Sequence, residues 1–236
     1  MKALNASQAV SNARLQFELI DHFASFTDTQ VWTETSGDTG AAIAMTGAAG
    51  GGITLTTGAT DNNECYLEST NELFKLLDNR PIHFQALVNY AEANTDDANI
   101  LVGLMDAPGA NSLVDDGAGP KSSYSGAVFY KVDGGTAWIF ETSNATTQTT
   151  STSTTTAGGT ADQLLEIEVL NVSGTAVDVV PKINGQQLID STSGDLIRHT
   201  VLLASATEMA IVVGNKAGGG TSEVLTLKVV SASQKY

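Results

Sequence analysis

The sequence predicts an all-β fold, a two-sheet antiparallel jelly-roll sandwich preceded by a short N-terminal arm, and three observations carry that expectation. Val, Ile, Leu and Thr are abundant while charged residues make up only 16% of the 236, which suits pleated, half-buried surfaces. Gly- and Asn-rich turn signals punctuate the chain at short intervals, as tight connections between strands require. Apolar residues alternate with polar ones, or form short continuous runs, and long helical periods are scarce. No linker separates two independently cored halves, so one domain is expected, with residues 1–16 as the arm and 17–236 as the sandwich.

The arm is polar and small, and Val10 and Leu15 suggest a short helix over 7–15. Short strands are expected at 17–23 and 31–34, before Gly37. A hairpin follows, with 41–45 and 52–57 flanking the small-residue turn 47–52; Ile53-Thr54-Leu55-Thr56 alternates as a half-buried strand does. Strands at 65–69 and 73–77 precede the turn Asp78-Asn79-Arg80-Pro81, which leads into 82–90, the clearest alternating run. The next run, 99–105, is nearly continuously apolar, as a central strand covered on both faces is. A Gly- and Asp-rich loop over 106–125 then leads to a hairpin of 126–132 and 136–141 about a two-residue turn at Gly134-Gly135. Residues 146–156 are all Ser or Thr except Gln148; they supply no core and read as an extended exposed strand or a mobile loop. Strands at 164–171 and 176–183 come next, and Asn184-Gly185, both tolerant of positive φ, turns the chain into 186–189. Runs at 199–203, 209–214 and 224–230 complete the set, and a two-sheet sandwich is the natural way to close it.

The formal charge of −15, from 26 acidic against 11 basic residues, produces a field that repels phosphate and anionic head groups, so neither nucleic acid nor membrane is expected as a partner. Cys65 has no second cysteine to pair with and no clustered histidines offer a zinc site, so the core alone must hold the fold. No stretch nears the ~20 apolar residues that span a bilayer. Residues 1–12 carry Lys2 as their one basic residue and lack the apolar centre of a signal peptide, so synthesis without classical secretion is expected.

Several stretches occur in a telling order. Phe17 to Trp32 has the form of an opening strand with its tryptophan. Gly51-Gly52-Ile53-Thr54-Leu55-Thr56-Thr57-Gly58-Ala59 has the form GG-apolar-x-apolar-x-TGA. Ile82 to Tyr90 and Ile100-Leu101-Val102-Gly103-Leu104-Met105-Asp106-Ala107 form a strand pair, Val179 to Gly185 ends in an Asn-Gly turn, and Leu225 to Val230 closes the series. Across residues 17–231 this order resembles the concanavalin A-like lectin/glucanase jelly roll, above all the versions in structural proteins of tailed bacteriophages; the Asp often seen within the closing strand is absent. The fold carries lectins, glycosidases and virion domains alike.

For this chain the resemblance implies a non-enzymatic bacteriophage virion structural protein, most specifically a capsid decoration (cement) protein that binds and stabilises the outside of the major capsid shell. Its expected partners are the major capsid protein and neighbouring copies of itself, about a two-fold or three-fold axis. It would be made in the host cytoplasm and located on the capsid exterior, with the arm reaching along the shell or a neighbour. The alternatives are a tail or head-fibre component and a carbohydrate-binding attachment domain, with a glycan as partner.

Catalytic, cofactor and metal residues are each expected to be absent, and every candidate has a plainer reading. A glycosidase needs two carboxylates about 5 to 10 Å apart. Glu166 and Glu168 share a strand face, but the fuller signature Glu-x-Asp-x-x-Glu is missing, since Leu170-Asn171 follows; they read as exposed strand carboxylates. Asp61-Asn62-Asn63-Glu64, Asp96-Asp97 and Asp115-Asp116-Gly117 are oxygen-rich enough for calcium but lack EF-hand spacing, and read as polar turns. His22, His83 and His199 are widely separated, and read as packing or surface residues. Trp32, Trp138 and Tyr130 could stack on a sugar, but alternation puts them in the core. Cys65 reads as a small buried apolar residue rather than a nucleophile.

Overall fold

The computed structural model describes residues 16–27, 29–92, 96–145 and 147–236. The helix expected over 7–15 and residue Thr146 lie outside them. Along the chain the strands are β1 (Gln16–Asp21), β2 (Trp32–Thr35), β3 (Ala42–Met45), β4 (Ile53–Thr56), β5 (Glu64–Ser69), β6 (Phe74–Lys75), β7 (Ile82–Ala91), β8 (Ala98–Met105) and β9 (Tyr124–Lys131). Then come β10 (Ala137–Ala145), β11 (Thr147–Thr156), β12 (Gln163–Ser173), β13 (Ala176–Ile183), β14 (Gln186–Gln187), β15 (His199–Leu202), β16 (Glu208–Ala217) and β17 (Val224–Lys235). One turn of 3-10 helix, Leu203–Ser205, follows β15.

These strands form two antiparallel sheets. The first runs β14-β13-β12-β7-β17-β4-β3, with β1 beside β17 and β15 beside β13. The second runs β11-β10-β9-β8-β16-β5-β2, with β6 beside β16. The two inner faces share one apolar cluster running from Phe23 to Ala232, so the sheets close on each other as a jelly-roll sandwich.

The period-two run after Pro81 behaves as its sequence requires. In β7, Ile82, Phe84, Ala86, Val88 and Tyr90 are buried while the intervening residues are half-buried, which fixes the register because a one-residue slip would turn the apolar set outward. All eight residues of β8 are buried, as a continuously apolar central strand must be. At the Asn184-Gly185 turn both φ angles are positive, +52° and +77°, the conformation a two-residue hairpin needs.

Three expectations need correction, and one left open is settled. Gln16, assigned to the arm, pairs with Lys235 as the first residue of β1. The turn placed at Gly134-Gly135 is centred one residue earlier, on Asp133-Gly134, because the Gly135 N–H closes it on the Val132 carbonyl and Gly134 takes the positive φ, +71°. The strand expected over 73–77 shortens to Phe74–Lys75, since the Gln234 side chain occupies the Lys75 N–H and carbonyl. The Thr/Ser stretch, left open between an exposed strand and a loop, is the ten-residue edge strand β11. It needs no apolar residues because its partner β10 supplies the ladder. Near Ser153 the register shifts, the side chain turns inward, and its hydroxyl donates to the Trp138 carbonyl at 2.7 Å.

Candidate functional site

The residues singled out by the sequence are placed mostly in structural roles. Glu166 is buried, at 8% exposure, not exposed as expected. It lies under the Asn184-Gly185 turn, accepting from Gln85 Nε2 at 2.9 Å and from the Gly185 N–H at 2.7 Å. Glu168 is paired with Lys182 at 2.7 Å. Trp32, Trp138 and Tyr130 are buried, as alternation implied. The Trp32 indole N–H donates to Asp21 at 2.8 Å and that of Trp138 to Gln163 at 2.7 Å, so neither ring offers its face to a sugar. Cys65 is buried and its thiol is pushed up to about 12, chiefly by burial.

His22 is exposed, His83 is half-buried on β7, and His199 is buried. His199 stacks near Phe140, with ring centroids 5.2 Å apart. Its ring nitrogens face Thr142 Oγ1 at 3.0 Å and Ser151 Oγ at 3.2 Å. Burial lowers its pKa to about 4 against the opposing pull of Asp190.

Two of the oxygen-rich loops meet. Asn62 Nδ2 donates to Asp116 at 3.2 Å and the Asp116 N–H returns a bond to Asn62 Oδ1 at 3.0 Å. Asp133, which the sequence did not single out, has its carboxyl raised by burial and then by the charge of Asp97. Among the described residues no group of three His, Cys, Asp or Glu side chains converges as metal ligands do.

The outer face of the second sheet carries what sequence reasoning missed. Residues 106–123 lie across it and bury a second cluster that includes Tyr66, Leu101, Leu113, Tyr124, Val128 and Tyr130. The loop is pinned by polar groups rising from the sheet. Tyr66 Oη accepts from the Leu113 N–H at 3.0 Å. Lys216, 1% exposed, donates to the Leu113 carbonyl at 3.0 Å and is ion-paired with Glu64 at 3.2 Å and Asp115 at 2.5 Å. On β9, the equally buried Lys131 binds Glu92 at 2.8 Å and the Ala98 carbonyl at 2.9 Å. The only sequence signal was a lysine at or next to the end of each of two largely apolar strands.

One transverse row of this face reads Glu68, Val212, Gly103, Val128, Glu141, Thr150 on successive strands. Four inter-strand steps separate the two carboxylates, about 19 Å, well beyond the roughly 5 to 10 Å of a glycosidase pair. Glu141 is saturated, accepting from Tyr124 Oη at 3.0 Å, Gln148 Nε2 at 2.8 Å and Thr150 Oγ1 at 2.6 Å; burial raises its pKa and these bonds oppose the rise. Glu68, raised by burial, borders an open cleft of about 400 Å³ with Glu72, Thr33, Thr70 and Asn71. Glu72 is engaged by the Ala107 N–H at 2.6 Å. A smaller cleft of about 170 Å³ lies between β10–β11 and β15, and Thr142, Ser143, Asn144, Thr147, Thr149 and Thr200 give it a hydroxyl-rich wall.

No family model matches the chain, and no curated protein matches it. Solved structures do. The chain is similar to an endo-1,3-beta-glucanase from Streptomyces sioyaensis at TM-score 0.62 and 10% identity, over 100% of this chain and 99% of that one. It is similar to peanut lectin at TM-score 0.60 and 10% identity, over 93% and 97%. A protein of unknown function from Shewanella oneidensis MR-1 aligns at TM-score 0.57 and 11% identity, over 100% and 96%. Likeness at such low identity speaks to architecture alone: the chain has the concanavalin A-like lectin/glucanase jelly-roll fold.

Proposed function

We propose that this chain is a non-catalytic structural protein of a tailed-bacteriophage virion, a decoration protein that coats and stabilises the outer surface of the capsid shell, with the major capsid protein and copies of itself as partners. The observation that carries the reading is the roofed outer face of the second sheet. Residues 106–123 cover it, and Glu64 and Glu141 beneath them are held by Lys216, Tyr124, Gln148 and Thr150. What remains for recognition is the rim and the sheet edges, rich in acid and hydroxyl groups. The order of motifs over 17–231, which resembles phage virion jelly rolls, supports the same reading. Quantitative mass spectrometry of purified particles of the source phage tests it. A fixed simple ratio to the major capsid protein is expected; a few copies per particle would move the chain to the tail or fibre, and its absence from particles would refute a virion role.

A carbohydrate-binding reading is favoured by two observations. Peanut lectin and the Emp46p carbohydrate recognition domain are among the similar structures, and the cleft walled by Thr142, Thr147 and Thr200 is hydroxyl-rich. A glycan array probed with the wild type and with Thr147→Trp, which fills that cleft, decides it. Binding lost in the variant supports this reading, and no binding by the wild type removes it.

A further inference from the structure

The edge of the second sheet at β11 is built as a pairing surface. β11 ends the strand order, with β10 on one side. At its far end the Thr154 N–H donates to the Ile189 carbonyl at 2.9 Å, and the Thr152 carbonyl accepts from the Ser191 N–H at 2.8 Å. Backbone groups alternate sides along a strand, so the amides of Gln148 and Thr150 also point away from β10. Among the described residues no strand lies beside them. These groups present donors and acceptors at strand spacing, and another extended backbone is what satisfies such a row.

Over residues 147–151 the devices that normally blunt an edge are missing, while the segment at 189–191 covers the far end. The strand is Thr-Gln-Thr-Thr-Ser-Thr-Ser-Thr-Thr-Thr, with no proline and no charge, in a chain of formal charge −15. The other sheet ends differ: β2 carries Glu34 and is four residues long, β3 is four residues long, and β14 has two residues. Along residues 147–152 the strand itself carries no charge to oppose its copy, and the Asp190 carboxylate lies beside its covered end at Ser153.

We infer that β11 pairs antiparallel with β11 of a second copy of this chain about a two-fold axis, joining the second sheets of two molecules into one. The inference rests on the assembly reading above and names the surface for it. With Thr150 opposite its own symmetry mate, Gln148 faces Thr152 on both sides; because Ser191 already holds the Thr152 carbonyl, about four backbone hydrogen bonds form between the copies. The segment at Ile189–Ser191 already beside Thr152 and Thr154 stops the ladder from running further. A contact this small gives a weak dimer in solution, populated at roughly 0.1 to 1 mM, and becomes effective where many copies are held side by side. Salt favours it by screening the net charge.

The test is sedimentation of the full chain over about 10 µM to 1 mM, alongside concentration-dependent hydrogen exchange at Gln148 and Thr150. Thr150→Pro deletes an outward N–H, a change that edge strands tolerate. Thr149→Lys adds the charge that the edge lacks and leaves the backbone intact, so it serves if the proline variant misfolds. Each should weaken association at least tenfold, and the two amides should exchange more slowly as the wild type concentrates. Ala59→Lys, on an exposed loop away from β11, should leave association unchanged. A wild type that stays monomeric throughout, or a dimer that both edge variants leave intact, would overturn the inference. Particle stoichiometry is read independently, so failure here would not be confused with failure of the virion reading.

Discussion

His199 should make the fold acid-sensitive, and the size of the effect follows from its burial. The ring sits between Phe140, Thr142 and Ser151, and its pKa falls from 6.5 to about 4. Between those values the unfolded chain binds a proton there that the native chain does not, so stability rises with pH across the window and is lost as pH falls through it. Going from about pH 7.5 to about pH 5, this one group should cost the native state about 2 kcal/mol. Glu68 and Glu141, both raised by burial, act with the opposite sign, because the native state prefers their protonated forms in acid. They are common to the wild type and to His199→Gln, so they cancel in the difference. The assay is urea unfolding of both proteins at matched pH values, reading the stability gap rather than either curve alone. The gap should shift by about 2 kcal/mol over that interval in the direction that favours the variant in acid. A gap independent of pH would refute the argument, whatever the variant does to stability at neutrality.

Two further outcomes follow from buried groups. Lys216→Met leaves the Glu64 carboxylate buried without its counter-charge, so a loss of about 3 to 5 kcal/mol is expected in denaturant unfolding, with partial recovery in the double variant Lys216→Met/Glu64→Gln; no recovery would place the cost in packing instead. The Cys65 thiol, pushed up to about 12, should resist an alkylating reagent at about pH 8 until the chain unfolds, and native labelling at the rate of a free cysteine would contradict its burial.

What was legible in the sequence was whatever depends on neighbours along the chain. The alternation of Ile82, Phe84, Ala86, Val88 and Tyr90 fixed a strand and its inward face, and Asn184-Gly185 fixed a turn. Apart from the one-residue shift of the turn at Gly134, the failures are long-range. Nothing near Glu166 says that the Gly185 N–H will close over it. Lys131 and Lys216 look like ordinary strand-end lysines, and only the chain's return through Glu92 and Leu113 buries them. The Thr/Ser run gave no apolar signal and left strand and loop open; the ladder to β10 decides for the strand, because pairing is paid for by the partner's backbone rather than by the strand's own side chains.

The disposition of charge connects these features to what the molecule can recognise. Lys75, Lys131, Lys182, Arg198, Lys216 and Lys228 are each ion-paired with a carboxylate. Much of the basic charge is therefore neutralised internally or on the surface, and the surplus of acid faces outward. Such a surface repels polyanions and other copies of itself at a distance, so any contact it makes must either meet a basic partner or occur where charge is absent. The sandwich offers an uncharged strand at one long edge, β11, with Asp190 beside its far end. A shell-coating role needs two such contacts, one to the shell and one to a neighbour. With residues 106–123 roofing the outer face of the second sheet, the proposed shell-coating role would rest on the edges rather than on that face.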